Sequence, residues 1–125
     1  MAFSEGGIIT TVSDLAKLDS SLYTDKLLKP SSIEQMWAPA KLKNGSMGVI
    51  GDNGAGKPNY YGLGWFISDY HNHKVILHTG NKPGFSCAFI RFADERLTVI
   101  VLSNLSSPSP VFQIAGDIAE LYLSK

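Results

Sequence analysis

Three consecutive residues near the middle of this 125-residue chain combine an ionisable ring, a hydroxyl and a bare backbone. They are His78, Thr79 and Gly80, and they follow an apolar run at 75–77 that is typical of a buried strand. Histidine titrates near neutral pH, threonine offers a hydroxyl for a carboxylate, and glycine lets another backbone approach closely. An ordinary polar strand end before the turn at 81–84 fits the same residues, so both interpretations stay open at this point.

A glycine-rich segment at 51–57 matches the first seven positions of the phosphate-binding pattern G-x-x-x-x-G-K-[ST]. The eighth position is Pro58, which has neither a hydroxyl for magnesium nor an N–H for phosphate. A strand pattern follows it, so no helix N-terminus would face a bound anion. The sequence therefore argues against nucleotide binding.

Metal and thiol chemistry have weaker candidates. His71 and His73 lie near Asp69 in a predicted hairpin turn, where alternating ligands can converge. No further committed ligand lies nearby, so a solvated turn is the favoured interpretation and no metal is expected. Cys87 is the only cysteine, which excludes an internal disulfide and a multi-cysteine zinc site, and its strand context predicts a buried, inert thiol.

Length and composition predict one domain with a single core over residues 1–125. Apolar residues make up 44% of the chain and charged residues 18%, which fits a folded protein rather than a disordered one. The formal net charge is zero and no basic patch is present, so no nucleic-acid partner is expected. No apolar run approaches the roughly 20 residues that a membrane span needs.

The elements that must position the polar triplet are strands. Apolar runs of strand length, separated by turn residues, predict an α+β fold with an antiparallel sheet of three to four strands. The stretch at 41–59 is polar, glycine-rich and aperiodic, so we expect a long surface loop there. The first hairpin turn is expected at 69–74. The predicted strands cover residues 61–68, 75–79, 85–92 and 97–102.

Two helices are expected before the sheet. Thr11 is a good N-cap for a helix over residues 12–22. Ser31 and Glu34 form a capping-box pattern for a second, short helix that ends near Trp37.

One longer helix is expected after the sheet, with Ser109 as N-cap and Pro110 at its first position. The last two strands are apolar on both faces, and a single helix covers only one face. The other face is therefore predicted to be an exposed apolar surface, partly covered by the first helix and open to self-association. The apolar stripe of the last helix comprises Val111, Ile114, Ala115, Ile118 and Tyr122.

Several short segments carry a family resemblance through their order and spacing, although none is specific alone. They are Gly-Gly-Ile-Ile-Thr-Thr at 6–11 with Asp-Leu-Ala at 14–16, Tyr-Gly-Leu-Gly-Trp at 61–65, His-Thr-Gly at 78–80 with Gly-Phe-Ser at 84–86, and Val-Ile-Val-Leu-Ser-Asn at 99–104. Together they resemble the serine β-lactamase and penicillin-binding-protein superfamily, in the branch of class C β-lactamases, D-alanyl-D-alanine carboxypeptidases and esterases.

The resemblance implies roles for the triplet and the residue after it. The family's third active-site motif is Lys-Thr-Gly, often His-Thr-Gly in this branch, on the strand that lines the cleft. His78 would then assist electrostatically or in proton traffic, and Thr79 would bind the substrate carboxylate or its neighbourhood. Gly80 would leave the strand accessible to the substrate, and the backbone N–H of Asn81 would match one oxyanion-hole donor.

One departure from the family limits the expected function. The family acylates the serine of a Ser-x-x-Lys motif, and no Ser-x-x-Lys occurs in these 125 residues. Ser13 has Ala16 at that spacing, and the Tyr-x-Asn letters at 70–72 fall in a predicted turn. The chain therefore resembles the C-terminal segment of a hydrolase of a β-lactam, a peptidoglycan peptide or an ester. It would carry one wall of the cleft and would not be catalytic alone.

The resemblance also implies partners and surroundings. The complete enzyme would take a small-molecule or peptide substrate without a cofactor, and this chain would pack against the upstream part of the hydrolase. The sequence leaves the compartment open, and the family points to an extracytoplasmic or cell-envelope location. The alternative is a noncatalytic module that binds peptides or proteins, and a Ser-x-x-Lys motif upstream of Met1 in the parent reading frame would favour the enzyme.

Overall fold

Six antiparallel strands form one sheet, in chain order, in a computed structural model that describes residues 6–54, 56–106 and 108–124. Helices lie before and after the sheet, so the predicted α+β class is confirmed. The helices are α1 (Val12–Ser21), α2 (Pro30–Met36) and α3 (Val111–Leu123). The strands are β1 (Val49–Asp52), β2 (Pro58–Tyr61), β3 (Phe66–Tyr70), β4 (His73–Lys82), β5 (Phe85–Phe92) and β6 (Leu97–Ser103).

The sheet is larger than the three to four strands predicted, because β1 and the start of β2 lie in the stretch at 41–59. The prediction of a loop throughout that stretch is wrong. The predicted single strand at 61–68 is also wrong, since a turn at 62–65 separates β2 from β3. All four residues of β1 are exposed, and its pairing with β2 contains a register irregularity, so no alternating apolar pattern marks the strand. β2 joins the sheet by pairing with β3, where Tyr60 lies opposite Ile67.

The β3–β4 hairpin has a shorter turn than predicted. Only His71 and Asn72 separate the strands, and their φ angles are 50° and 69°. A two-residue turn with positive φ at both positions matches the twist of paired strands. The predicted turn at 69–74 is therefore too long, since Asp69 already pairs with Lys74.

The predicted start of α1 is confirmed, and the other two helix starts are corrected. The Thr11 hydroxyl accepts a backbone N–H of the first turn of α1 at 3.1 Å. α2 begins with Pro30 and has no side-chain cap, so Ser31 and Glu34 do not form the expected capping box. α3 takes Pro110 as its N-cap, one residue later than expected. At the start of α2 and of α3, a proline with its fixed φ takes the first position or the N-cap, and no serine side chain caps the helix.

α3 packs against β5 and β6 through small side chains. Val111, Ala115 and Ala119 are buried at successive turns of the helix. Because alanine is small, it lets the helix axis come close to the sheet. The buried face of α3 is therefore narrower than the apolar stripe predicted from the sequence. The members of the predicted stripe that remain exposed are Ile114, Ile118 and Tyr122.

The opposite face of the sheet contains a fully buried arginine. Arg91 on β5 hydrogen-bonds through Nε to Asp19 of α1, which also accepts the hydroxyl of Thr98 at 2.9 Å. The Arg91 Cζ lies 4.5 Å from the Trp37 ring centroid and 5.0 Å from that of Tyr23. These contacts hold α1, the segment after it and the end of α2 against the middle of the sheet.

Cover over this face is uneven, so the expectation of an open apolar surface is only partly right. Ile76 and Arg91 are completely buried at the end that the helices cover. At the other end of β5 and β6, Phe85 is 65% exposed and Leu102 is 39% exposed. On this face of β5 and β6, the exposed apolar side chains of the described residues lie at that second end.

A glycine-rich turn between β2 and β3 docks α2 onto the sheet. The Leu63 N–H donates to the Met36 carbonyl at 3.0 Å. A Cβ at the adjacent Gly62 would lie only 2.3 Å from the same oxygen. No side chain fits there, which explains the first glycine of Tyr-Gly-Leu-Gly-Trp.

We expect Gly62→Ala to lower the free energy of unfolding by about 1–3 kcal/mol, the usual cost of overpacking. The obstructing Met36 oxygen belongs to the backbone, so it cannot move aside by a rotamer change. Urea denaturation followed by tryptophan fluorescence measures the loss. Gly6→Ala is the matched control, because nothing lies within 4 Å of a Cβ there. Equal midpoints for the two variants would contradict this account of the turn.

Asp19→Asn should destabilise the chain by about 3–5 kcal/mol, because it leaves the Arg91 charge buried without its counter-ion. Adding Arg91→Met should recover part of that loss, since the double variant has no charge to bury. Lys17→Met, which removes an exposed ion pair with Asp14, should leave the unfolding midpoint unchanged. A double variant less stable than Asp19→Asn alone would show that the charge itself is not what Asp19 stabilises.

Candidate active-site wall

The 10-residue strand β4 continues past the end of its neighbour β3. β3 pairs with β4 only as far as Leu77, opposite Phe66, whereas β5 pairs with β4 as far as Lys82. Among the described residues, β4 therefore has a strand partner on one side only from His78 onward. Its other edge offers backbone N–H and C=O groups to an extended ligand.

His78 lies at the start of this open edge and is exposed. Its Nδ1 is 2.8 Å from the carbonyl oxygen of Thr79, and its Nε2 is 3.3 Å from the hydroxyl of Tyr61. The Phe66 ring centroid lies 4.8 Å from that of Tyr61 and 5.6 Å from that of His78. Sequence reasoning missed Tyr61 as a neighbour of His78, although Tyr61 begins the Tyr-Gly-Leu-Gly-Trp motif.

Thr79 and Asn81 alternate with His78 along β4, so they project to the other side of the strand. With Gly80 they line a groove of about 580 Å³ on the side of the sheet that carries α3. The structure thus brings Thr79, Gly80 and Asn81 together on one groove, with His78 beside it on the strand edge. The groove is also lined by Phe66, Ser68, Tyr70, Leu77, Phe112 and Gly116.

The groove holds polar groups that donate hydrogen bonds. The Ser68 hydroxyl donates to Asn59 at 2.5 Å. Burial raises the pKa of the Tyr70 phenol, and the carboxylates of Glu120 and Asp117 raise it further. Tyr70 therefore stays protonated at neutral pH and acts there as a hydroxyl, not as a base.

Gly80 has a structural reason to be glycine besides the proposed contact with substrate. Its partner on β5 is Cys87, and a Cβ at Gly80 would lie 2.7 Å from the Cys87 Sγ. The half-buried thiol thus occupies the space that a side chain at position 80 would need. Cys87 was predicted to be buried, and it is only partly so.

The described residues of the glycine-rich stretch at 51–57 contact the β3–β4 hairpin. A strand, β2, begins directly after this stretch at Pro58, three residues before the predicted strand start. The Lys57 Nζ donates to Asp69 at 2.8 Å and to Asn72 at 2.9 Å. The Lys57 ammonium lowers the pKa of Asp69, so the lysine serves as the partner of a carboxylate.

The two hairpin histidines diverge. His73 contacts Glu95 through Nδ1, while the His71 ring packs on Tyr70 with 4.5 Å between centroids. Within residues 6–54, 56–106 and 108–124, no cluster of three or more His, Cys, Asp or Glu side chains is arranged to hold a metal ion. The same ranges contain no helix with the length and apolarity to cross a membrane.

Comparison with known proteins decides the family. The beta-lactamase family model matches residues 2–123. The chain belongs to the β-lactamase family. Penicillin-binding protein 4* of Bacillus subtilis (strain 168) is 32% identical to this β-lactamase-family chain over 117 residues, which are 93% of the chain and 24% of that protein. The chain thus spans about a quarter of the length of the curated relative it matches.

A solved structure supports the fold of this β-lactamase-family chain. The octameric penicillin-binding protein homologue from Pyrococcus abyssi matches it with a TM-score of 0.74 at 24% identity, over 93% of this chain and 25% of that one. This likeness concerns the fold alone. The sequence predicted a C-terminal part of a protein of the serine β-lactamase and penicillin-binding-protein superfamily. This prediction is confirmed.

We expect Gly80→Ala to destabilise the chain by about 1–3 kcal/mol, because the new methyl group meets the Cys87 thiol. Cys87→Ala removes the obstructing sulfur, so the double variant should lose less stability than the sum of the two single losses. Urea denaturation of the four proteins completes the double-mutant cycle. Strictly additive losses would mean that position 80 is constrained by something other than Cys87.

Proposed function

We propose that this chain is the C-terminal segment of a β-lactamase-like serine hydrolase and forms one wall of its active-site cleft. In the complete enzyme a serine Oγ bonds to the substrate carbonyl carbon, the C–N or C–O bond breaks, and the leaving group takes the proton. Water then hydrolyses the acyl-serine. The substrate is a β-lactam, a peptidoglycan peptide or an ester. The chain has no Ser-x-x-Lys and does not catalyse this reaction alone.

The observation that carries the proposal is the open edge of β4 beside the His-Thr-Gly triplet. A substrate that aligns along this edge as an added strand would bring its carbonyl group against backbone donors. In the proposed arrangement the N–H of Asn81 is one of the two donors that stabilise the oxyanion. Pairing with β5 holds this N–H in a fixed direction, so it needs no reorganisation during the reaction.

The residues of the triplet would bind the substrate and assist the reaction in different ways. The exposed Thr79 hydroxyl would donate a hydrogen bond to a substrate carboxylate, and Gly80 would let the substrate backbone lie close to the strand. His78 would stabilise developing negative charge when protonated, or pass a proton to or from the reacting groups.

The upstream part of the hydrolase is the proposed partner of the uncovered end of the sheet. Phe85 and Leu102 expose apolar surface there, on the face opposite α3. Burying such surface is favourable at roughly 25 cal/mol per Å². If the chain occurs without that partner, the same surface would support self-association.

A second candidate function uses the same edge without catalysis. An open strand edge accepts extended peptides by strand addition, and main-chain hydrogen bonds alone provide affinity. In this alternative the chain is a noncatalytic module that binds peptides or proteins. The two functions differ in whether a nucleophilic serine is ever placed opposite β4.

Covalent labelling with a fluorescent penicillin distinguishes them. The isolated chain should take up no label, because it lacks Ser-x-x-Lys. A family member that carries Ser-x-x-Lys should be labelled when this chain replaces its matching segment. Thr79→Ala in that chimera should slow labelling by about tenfold or more, the usual cost of one hydrogen bond to a charged group.

The matched control in the chimera is Lys74→Ala, an exposed residue at the other end of β4. It should leave the labelling rate unchanged. Intact mass spectrometry locates the label. Stoichiometric labelling of a serine in the isolated chain, or equal rates for Thr79→Ala and Lys74→Ala, would refute the proposed role of this wall.

A further inference from the structure

We propose that Tyr61 is a positioning residue for His78: by donating a hydrogen bond to Nε2 it stabilises the Nδ1–H tautomer and the ring orientation that the Thr79 carbonyl also favours. The value of this arrangement for catalysis rests on the proposed function, whereas the hydrogen-bond pattern itself does not. The contact joins the end of β2 to β4, across the gap that opens because β3 begins only at Phe66.

The partners of His78 determine its tautomer. A backbone carbonyl can only accept, so the 2.8 Å contact between Nδ1 and the Thr79 oxygen requires a hydrogen on Nδ1. In a neutral imidazole the other nitrogen, Nε2, is then bare and can only accept. The Tyr61 hydroxyl, 3.3 Å from Nε2, is therefore the donor of the second hydrogen bond.

Tyr61 is itself held in place by its surroundings. Its backbone carbonyl accepts the N–H of Ala40 at 2.9 Å, and its ring meets the Phe66 ring edge-on. The next residue, Gly62, is wedged against the Met36 carbonyl. A tyrosine side chain has only two torsions, so a fixed backbone and a packed ring leave its hydroxyl few positions.

The same contact gives His78 a route for a proton. In this route the Tyr61 hydroxyl proton moves to Nε2, and the Tyr61 oxygen takes a second proton from a bound group. His78 therefore gains one proton, the bound group loses one, and Tyr61 remains protonated. The ring then donates from Nε2, and the Tyr61 oxygen accepts. Only O–H and N–H bonds change. In the complete enzyme, Tyr61 would thus couple His78 to a group bound next to the Tyr61 hydroxyl.

Nitrogen-15 NMR of the chain with labelled histidine tests this, at a pH where His78 is neutral. The wild-type ring should show a protonated Nδ1 and a bare Nε2. Tyr61→Phe keeps the packing on Phe66 and removes the donor, so the tautomer ratio should shift toward the Nε2–H form by about 2- to 10-fold, the equivalent of one ordinary hydrogen bond.

Tyr60→Phe is the matched control, because it removes the neighbouring hydroxyl on the same strand and should leave the His78 tautomer unchanged. Backbone amide spectra establish that each variant is folded. An Nε2–H tautomer in the wild type would overturn the proposal. An unchanged tautomer ratio in Tyr61→Phe would do the same, and the wild-type spectrum can still overturn the proposal if that variant does not fold.

The outcomes separate this inference from the proposed function. An Nδ1–H tautomer whose population falls in Tyr61→Phe, together with an unlabelled chimera, would leave Tyr61 as the positioning residue of His78 and reject the hydrolase. A labelled chimera together with an Nε2–H tautomer would keep the hydrolase and reject the role of Tyr61.

Discussion

The buried ion pair between Arg91 and Asp19 is the contact on which the placement of α1 and α2 against the sheet depends. A guanidinium removed from water costs several kcal/mol unless an opposite charge and hydrogen bonds compensate for it, and arginine cannot lose its charge. Asp19 supplies the opposite charge, and the rings of Trp37 and Tyr23 face the cation. These contacts tie the positions of α1 and of the end of α2 to Arg91.

This constraint acts at one end of β4 and β5 and leaves their other end for the site. Ile76, which lies opposite Arg91 in the register, is completely buried, and two residues later His78 is exposed. β5 holds the β4 backbone as far as Lys82, while β3 pairs with it only to Leu77. This edge of β4 is therefore held by β5 on one side and has no described strand on the other, which is the arrangement in which backbone donors bind a ligand without first being ordered.

The Tyr-Gly-Leu-Gly-Trp motif connects the helix layer to this edge. Gly62 allows the backbone to pass against the Met36 carbonyl at the end of α2, and the preceding Tyr61 reaches His78 with its hydroxyl. The placement of α2 and the orientation of the His78 ring thus depend on adjacent residues. A change that moves α2 should therefore also change the orientation of the His78 ring.

Apolar periodicity, turn chemistry and motif order are local signals, so the sequence was enough to predict the α+β class, the strands at 85–92 and 97–102, the helix that Thr11 caps, and the family. The buried pair of Arg91, the exposed and irregular strand β1, and the two neighbours of the triplet, Tyr61 and Cys87, are visible only in the folded chain. Each of these depends on strand register and on contacts between residues far apart in sequence. The Tyr61 hydroxyl contacts His78 only because β3 begins at Phe66. No sequence pattern around Tyr61 or His78 indicates this contact.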